Sequence, residues 1–169
     1  MMEIAITDKM RNKAHKKSQT MGSLRRSITR GQGNVIGFLG EEIARKVLGG
    51  EEHNTHNYDL IVSNKRIEVK TKKTSVTPKE NYECSVADLT RKQDCDYFAF
   101  VRVLNDQSKG WFLGLKDRDE YYKEAVYLTK GQYDPSNNFI VKANCYNLPI
   151  SSLSFDVEGV ISDGSKVQV

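Results

Sequence analysis

The chain has 169 residues, 38% hydrophobic and 28% charged, which is enough for one domain with a proper core and too few for two comfortable ones. No apolar run approaches the roughly 18 residues that cross a bilayer, and the start, "MMEIAITDKMRNKAHKK", lacks the apolar segment of a secretory signal. The odd cysteine count (Cys84, Cys95, Cys145) argues against a disulfide framework, so a soluble protein of a reducing, intracellular compartment is expected, with no membrane partner. Charge is uneven: residues 1–30 carry eight Lys/Arg against Glu3 and Asp8, or +6, and the other 139 carry 18 basic and 20 acidic side chains, or −2. A polyanion is the simplest partner for that asymmetry, although a solvated basic helix explains charge alone equally well.

In chain order, Thr7 or Asp8 caps a first helix running to about Gln19, and "MGSLRRSITRGQGN" loosens into a linker. Residues 1–33 thus read as a basic helical arm. Asn34 caps a second helix over 35–48, with apolar residues at 36, 39, 40, 43, 44 and 47 and a stop at Gly49-Gly50. The glycines at 31, 33, 37 and 40 do not have dinucleotide-loop spacing, so no small-molecule cofactor is expected. His53 and His56 read as surface loop residues. "YDLIV", the turn "SNK" and "RIEVKT" read as a β-hairpin. A strand at "YECSVA", a turn or short helix at "LTRKQDCD", and the antiparallel strands "YFAFVRVL" and "KGWFLGLK" follow, with Trp111 and Phe112 in the core. "DRDEYYKEA" is a short helix capped by Asp117, then come extended pieces at "AVYLT" and "NFIVKA", and residues 156–169 form a polar tail. Residues 34–155 are therefore expected to form an α/β domain on one mixed β-sheet flanked by helices.

The hairpin is the informative segment. With Asn64-Lys65 as a two-residue turn, Asp59 faces Lys70 and Ile61 faces Glu68, all on one side of the ribbon. Opposed Cβ atoms then lie about 5 Å apart and diagonal ones about 7 Å, close enough for Asp59 and Glu68 to share one ion. Oxygen donors of this kind suit Mg²⁺, with Mn²⁺ able to substitute. A cation held by Asp59, Glu68 and the carbonyl of Val69 could serve phosphodiester hydrolysis, with Lys70 positioning or deprotonating the attacking water. Lys72, on the Lys70 face, and Lys73, at the start of a loop, could hold nucleic-acid backbone. The plainer alternative is a cross-strand Asp59–Lys70 ion pair worth a few tenths of a kcal/mol, with Glu68 solvated.

A helix containing "GEEIARKVL", then Asp59, then Glu68-Val69-Lys70 in the next strand resembles the PD-(D/E)xK nuclease superfamily over about residues 37–73, with Tyr58 where the motif name has proline. The resemblance implies a restriction-endonuclease-like core, with Asp59 and Glu68 as metal ligands, Lys70 as the catalytic lysine and Glu41 as the helix acid. Both Glu41 and Glu42 fall at the edge of the helix's apolar face; Glu41 is favoured because it follows Gly40, as in the "GE" start of some members. The expected function is a divalent-metal-dependent endonuclease acting on DNA, similar to resolvase-like or phage-like members, with Lys13, Lys16, Lys17, Arg25, Arg26 and Arg30 clamping the backbone. A homodimer would suit the cutting of two strands. The alternative is a non-catalytic nucleic-acid-binding protein on the same scaffold.

Overall fold

The computed structural model describes residues 1–21, 32–53, 55–136 and 138–155. In chain order the elements are β1 (Met2–Ala5), α1 (Asp8–Met21), α2 (Gln32–Leu48), β2 (Glu51–Glu52), β3 (Leu60–Val62), β4 (Lys65–Thr74) and β5 (Glu83–Ala87). β6 (Tyr97–Leu104), β7 (Lys109–Asp117), α3 (Arg118–Glu124), β8 (Val126–Leu128), β9 (Tyr133–Asp134), β10 (Phe139–Ile140) and β11 (Cys145–Pro149) follow. A six-stranded sheet runs β1-β7-β6-β4-β3-β2. It is mixed, because β4 and β6 pair in parallel while the other neighbours are antiparallel.

The expectation of one sheet needs correction. A second sheet, β5-β11-β8, and a small β9–β10 hairpin stand apart from the first. The main sheet therefore has two covered faces. One packs Ile67, Val69, Ala99 and Val101 against Leu39, Ile43 and Ala44 of α2 and Met10 and Ala14 of α1. The other packs Phe98, Phe100 and Leu113 against Val86, Tyr121, Tyr146 and Leu148. Fully burying each large apolar side chain contributes about 1.5–3 kcal/mol, and this two-sided burial makes "YFAFVRVL" near-continuously apolar. Trp111 and Phe112 lie in the core, as expected.

The first helix begins where the sequence predicts, with the Thr7 Oγ1 accepting from the Met10 N–H at 3.3 Å. Residues 2–21 of the predicted arm are integral to the fold: β1, which the sequence reading did not foresee, pairs with β7, and α1 lies against α2. Arg25, Arg26 and Arg30, and the tail 156–169, lie outside the described residues. Asp117 caps α3 by accepting from the Asp119 and Glu120 N–H groups at 2.9 and 3.1 Å.

The hairpin register also differs from expectation. Ser63 and Asn64, not Asn64 and Lys65, are the central turn residues; both have positive φ, +47° and +64°, as a type I′ turn requires. Pairs now sum to 127, with Leu60 opposite Ile67 and Val62 opposite Lys65. The shift is even in residue number, so every side chain keeps its face. Lys73 belongs to β4 rather than to a loop, and strand alternation turns it away from Lys70 and Lys72.

α2 reaches β4 at Gly40. A Cβ there would meet the Thr71 Oγ1 at 1.8 Å and the Thr71 Cβ at 2.8 Å. Gly40→Ala should lower stability by about 1–3 kcal/mol through overpacking, outweighing the roughly 1 kcal/mol that alanine gains in helix propensity. A thermal melt checks this, and an unchanged or raised midpoint would show that Thr71 gives way freely.

Candidate active site

β3 is short because the chain turns away just before it. The Thr55 side-chain oxygen accepts from the Asn57 and Tyr58 N–H groups at 3.2 and 3.0 Å, closing a tight loop. Asp59 makes the last ladder contact, its N–H donating to the Ile67 carbonyl at 2.9 Å. Beyond that contact β4 runs on past the end of β3. Odd-numbered residues of β4 direct their backbone groups to this edge, as the Ile67 carbonyl does, while the Arg66 and Thr74 carbonyls accept from the chain flanking β6 on the other side.

The candidate side chains gather at this edge. The Asp59 Oδ2 accepts from the Val69 N–H at 2.8 Å. Since the N–H and C=O of one strand residue face the same edge, the Val69 carbonyl opens beside Asp59. Glu68, 8% exposed, takes the face shared with Asp59, and the Lys70 Nζ donates to its Oε1 at 2.8 Å. That ammonium also lies 5.7 Å from the centre of the Phe98 ring. The expected Asp59–Lys70 cross-strand pair is therefore replaced by a Lys70–Glu68 pair along one strand.

Glu41 approaches from α2. Burial pushes its carboxyl up, Lys17 opposes that, and Glu52 and Glu68 push it further. Asp59 responds more strongly: burial, then the charges of Glu68 and Glu41, push it up to about 8 against the Val69 N–H and Lys70. Glu41, Asp59 and Glu68 thus form one electrostatic group. Glu42 is bonded to Lys13 and Arg45, whereas Glu41, bonded to Lys17, is the helix carboxylate coupled to Glu68 and Asp59.

Gln93 was not foreseen. Its Oε1 accepts from the Lys70 Nζ at 2.8 Å, and its Nε2 donates to the Glu68 Oε1 and the His56 carbonyl, each at 3.0 Å. Its loop is fastened by Arg66, which bonds Asp96 and Asp94, and by Arg118, which donates to the Gln93 and Arg91 carbonyls. The one sequence signal was its place in the polar turn before the buried strand β6. Gln93→Leu should leave the Lys70–Glu68 pair misaligned and slow any reaction at this site by about tenfold or more; an unchanged single-turnover rate would show that Gln93 only ties down the loop.

The predicted phosphate-binding lysines divide. Lys17 donates to Glu41 at 2.8 Å and also pairs with Glu52, and Lys13 pairs with Glu42 and, at 3.0 Å, with Glu52. These two ammonium groups are engaged within the fold, whereas Lys16 stands exposed on the same basic face of α1. Lys72 flanks a cleft beyond Lys70, and Lys73 is exposed on the helix side.

Among the described residues, no three acidic, histidine or cysteine side chains are already arranged as a metal cage. The donor set nevertheless fits a hard cation: Asp59, Glu68 and the Val69 carbonyl are all oxygen donors at one edge, and the uncompensated acidity that raises Asp59 is what a cation would relieve. No helix among the described residues is long and apolar enough to span a membrane. No known family model matches the chain, and no curated protein resembles it significantly in sequence.

Proposed function

We propose that the protein is a divalent-metal-dependent DNA endonuclease of the PD-(D/E)xK type, built on a restriction-endonuclease-like core. The observation that carries this reading is the grouping of Asp59, Glu68, Lys70 and Glu41 where β4 runs past the end of β3, with Asp59 pushed up to about 8 by burial and its acidic neighbours. A surface ion pair has no need of such crowding, and perturbed carboxylates gathered at one edge are characteristic of functional sites.

Asp59, Glu68 and the Val69 carbonyl would hold Mg²⁺ or Mn²⁺, with Glu41 adding a third carboxylate from the helix side. A cation bound there supplies charge stabilisation at the scissile phosphate and acidifies an attacking water. Lys70, steered by Glu68 and Gln93, would orient that water and, as an ammonium, offset charge on the phosphate. The exposed face of α1 with Lys16, followed by Arg25, Arg26 and Arg30, grips the backbone without reading bases. A homodimer would bring two such sites to the two strands, and the setting is intracellular. A non-catalytic DNA-binding role is the competing reading.

Glu68→Ala removes a ligand and the partner of Lys70 together. Cutting of labelled DNA should fall by about 10³-fold or more while salt-dependent DNA binding through the basic face persists. Cutting at the wild-type rate by this variant would refute the assignment.

A further inference from the structure

Beyond Lys70, the face of the main sheet that carries Glu68 continues under the second sheet as a cleft of about 290 Å³, floored by Phe100 and Leu113 and walled by Cys84, Ala143 and Asn144. Two cations open into it. Lys72 follows Lys70 on the same face of β4, and Arg102 is its register neighbour on β6. Two residues of strand separate Lys70 from Lys72 by roughly 6.6 Å, a step on the scale of one extended nucleotide.

The Glu83 charge favours the Lys72 ammonium from across the cleft. One Arg102 N–H donates to the Glu83 carbonyl at 2.9 Å, and the guanidinium lies 5.2 Å from the centre of the Tyr82 ring. The Glu83 carboxylate also borders the cleft and accepts from the Asn147 amide at 2.7 Å. Lys72 is exposed at the cleft mouth; burial of its ammonium first and then the Arg102 charge hold it below the usual lysine range, against the Glu83 charge. Burial likewise lowers Arg102. Two adjoining cations, Lys72 exposed and Arg102 buried, favour an anion that brings its own charge.

We infer that this cleft is the path of an unpaired DNA strand leading to or from the Glu68–Lys70 edge, with Lys72 and Arg102 as phosphate anchors. The inference rests on the nuclease reading for its direction along the strand, and it makes the substrate class DNA with single-stranded extensions. The cleft volume is on the scale of small-molecule pockets, about 300–1,000 Å³, and cannot admit a duplex. A positively charged groove that tracks the backbone is a general solution for single strands.

The test measures binding without cleavage: fluorescence anisotropy in EDTA with a labelled oligo-dT and a blunt duplex of equal length, over a series of salt concentrations. Lys72→Gln should weaken oligo-dT binding about three- to tenfold and lower its log–log salt slope by about 0.7, with duplex binding affected less. Because Arg102 is buried and Arg102→Gln could misfold, Ala143→Phe, which fills the cleft from a loop, provides a second variant and should also weaken oligo-dT binding. Wild-type affinity and slope in both Lys72→Gln and Ala143→Phe would overturn the cleft assignment. Loss of oligo-dT binding in these variants, from a wild-type protein that cuts nothing in Mg²⁺, would sustain the cleft and sink the nuclease reading.

Discussion

Asp59→Asn should abolish metal-dependent cutting and at the same time stabilise the metal-free protein above neutral pH. The carboxylate sits beside Glu68 and Glu41, and burial with those two charges pushes it up to about 8. Between about pH 4 and pH 8 the folded chain therefore holds a proton that the unfolded chain has released. The sign follows directly: stability declines as pH rises through that window, and the full cost of the buried charge is present above it. Asparagine matches the shape of the protonated acid, so the variant and wild type should melt alike near pH 5 and diverge at pH 8.5, with the variant higher. The same change removes an anionic ligand, and cutting should drop by about 10³-fold or more. Melting curves at the two pH values, with cleavage on the same preparations, check both halves; a variant that melts lower at pH 8.5 would mean that Asp59 stabilises the fold as an anion through the Val69 N–H.

The second large effect is the coupling of metal to protons. A divalent cation at Asp59 must displace the proton that the folded protein carries there, so binding should release close to one proton below pH 8. Apparent Mn²⁺ affinity should then fall on the order of a hundredfold between pH 8 and pH 6, tenfold for each unit while one proton is exchanged. Calorimetric titration in buffers of different ionisation enthalpy reads the affinity and the proton count together. Equal affinity at the two pH values would place the cation elsewhere or show Asp59 already ionised.

Much of this site was legible because it is local. Asp59, Glu68 and Lys70 lie within one hairpin, and strand alternation fixes their shared face whichever even shift the turn adopts. The turn itself was misread because Ser63 has a positive φ that a non-glycine residue seldom adopts; the fold nevertheless preserved the face. Glu41 against Glu42 was undecidable on a helical wheel, since the choice depends on what α1 offers: Lys13 and Arg45 take Glu42, leaving Glu41 beside Glu68. Gln93 was invisible for a similar reason. It reaches Lys70 only because Arg66 and Arg118 fasten its loop across a sequence separation of more than twenty residues. β1 was missed because four residues carry little periodicity, and the second sheet because β8 and β11 pair through long-range contacts.

The most direct measurement is cleavage of end-labelled duplex, single-stranded, overhang-bearing and four-way-junction DNA by the full chain in Mg²⁺ or Mn²⁺, beside EDTA and Glu68→Ala controls. Metal-dependent cutting that disappears in both controls is the expected result. Salt-sensitive binding of these DNAs with no cutting of any of them in either metal would contradict it, and would assign the chain to the non-catalytic DNA-binding class with Lys70–Glu68 as a structural ion pair.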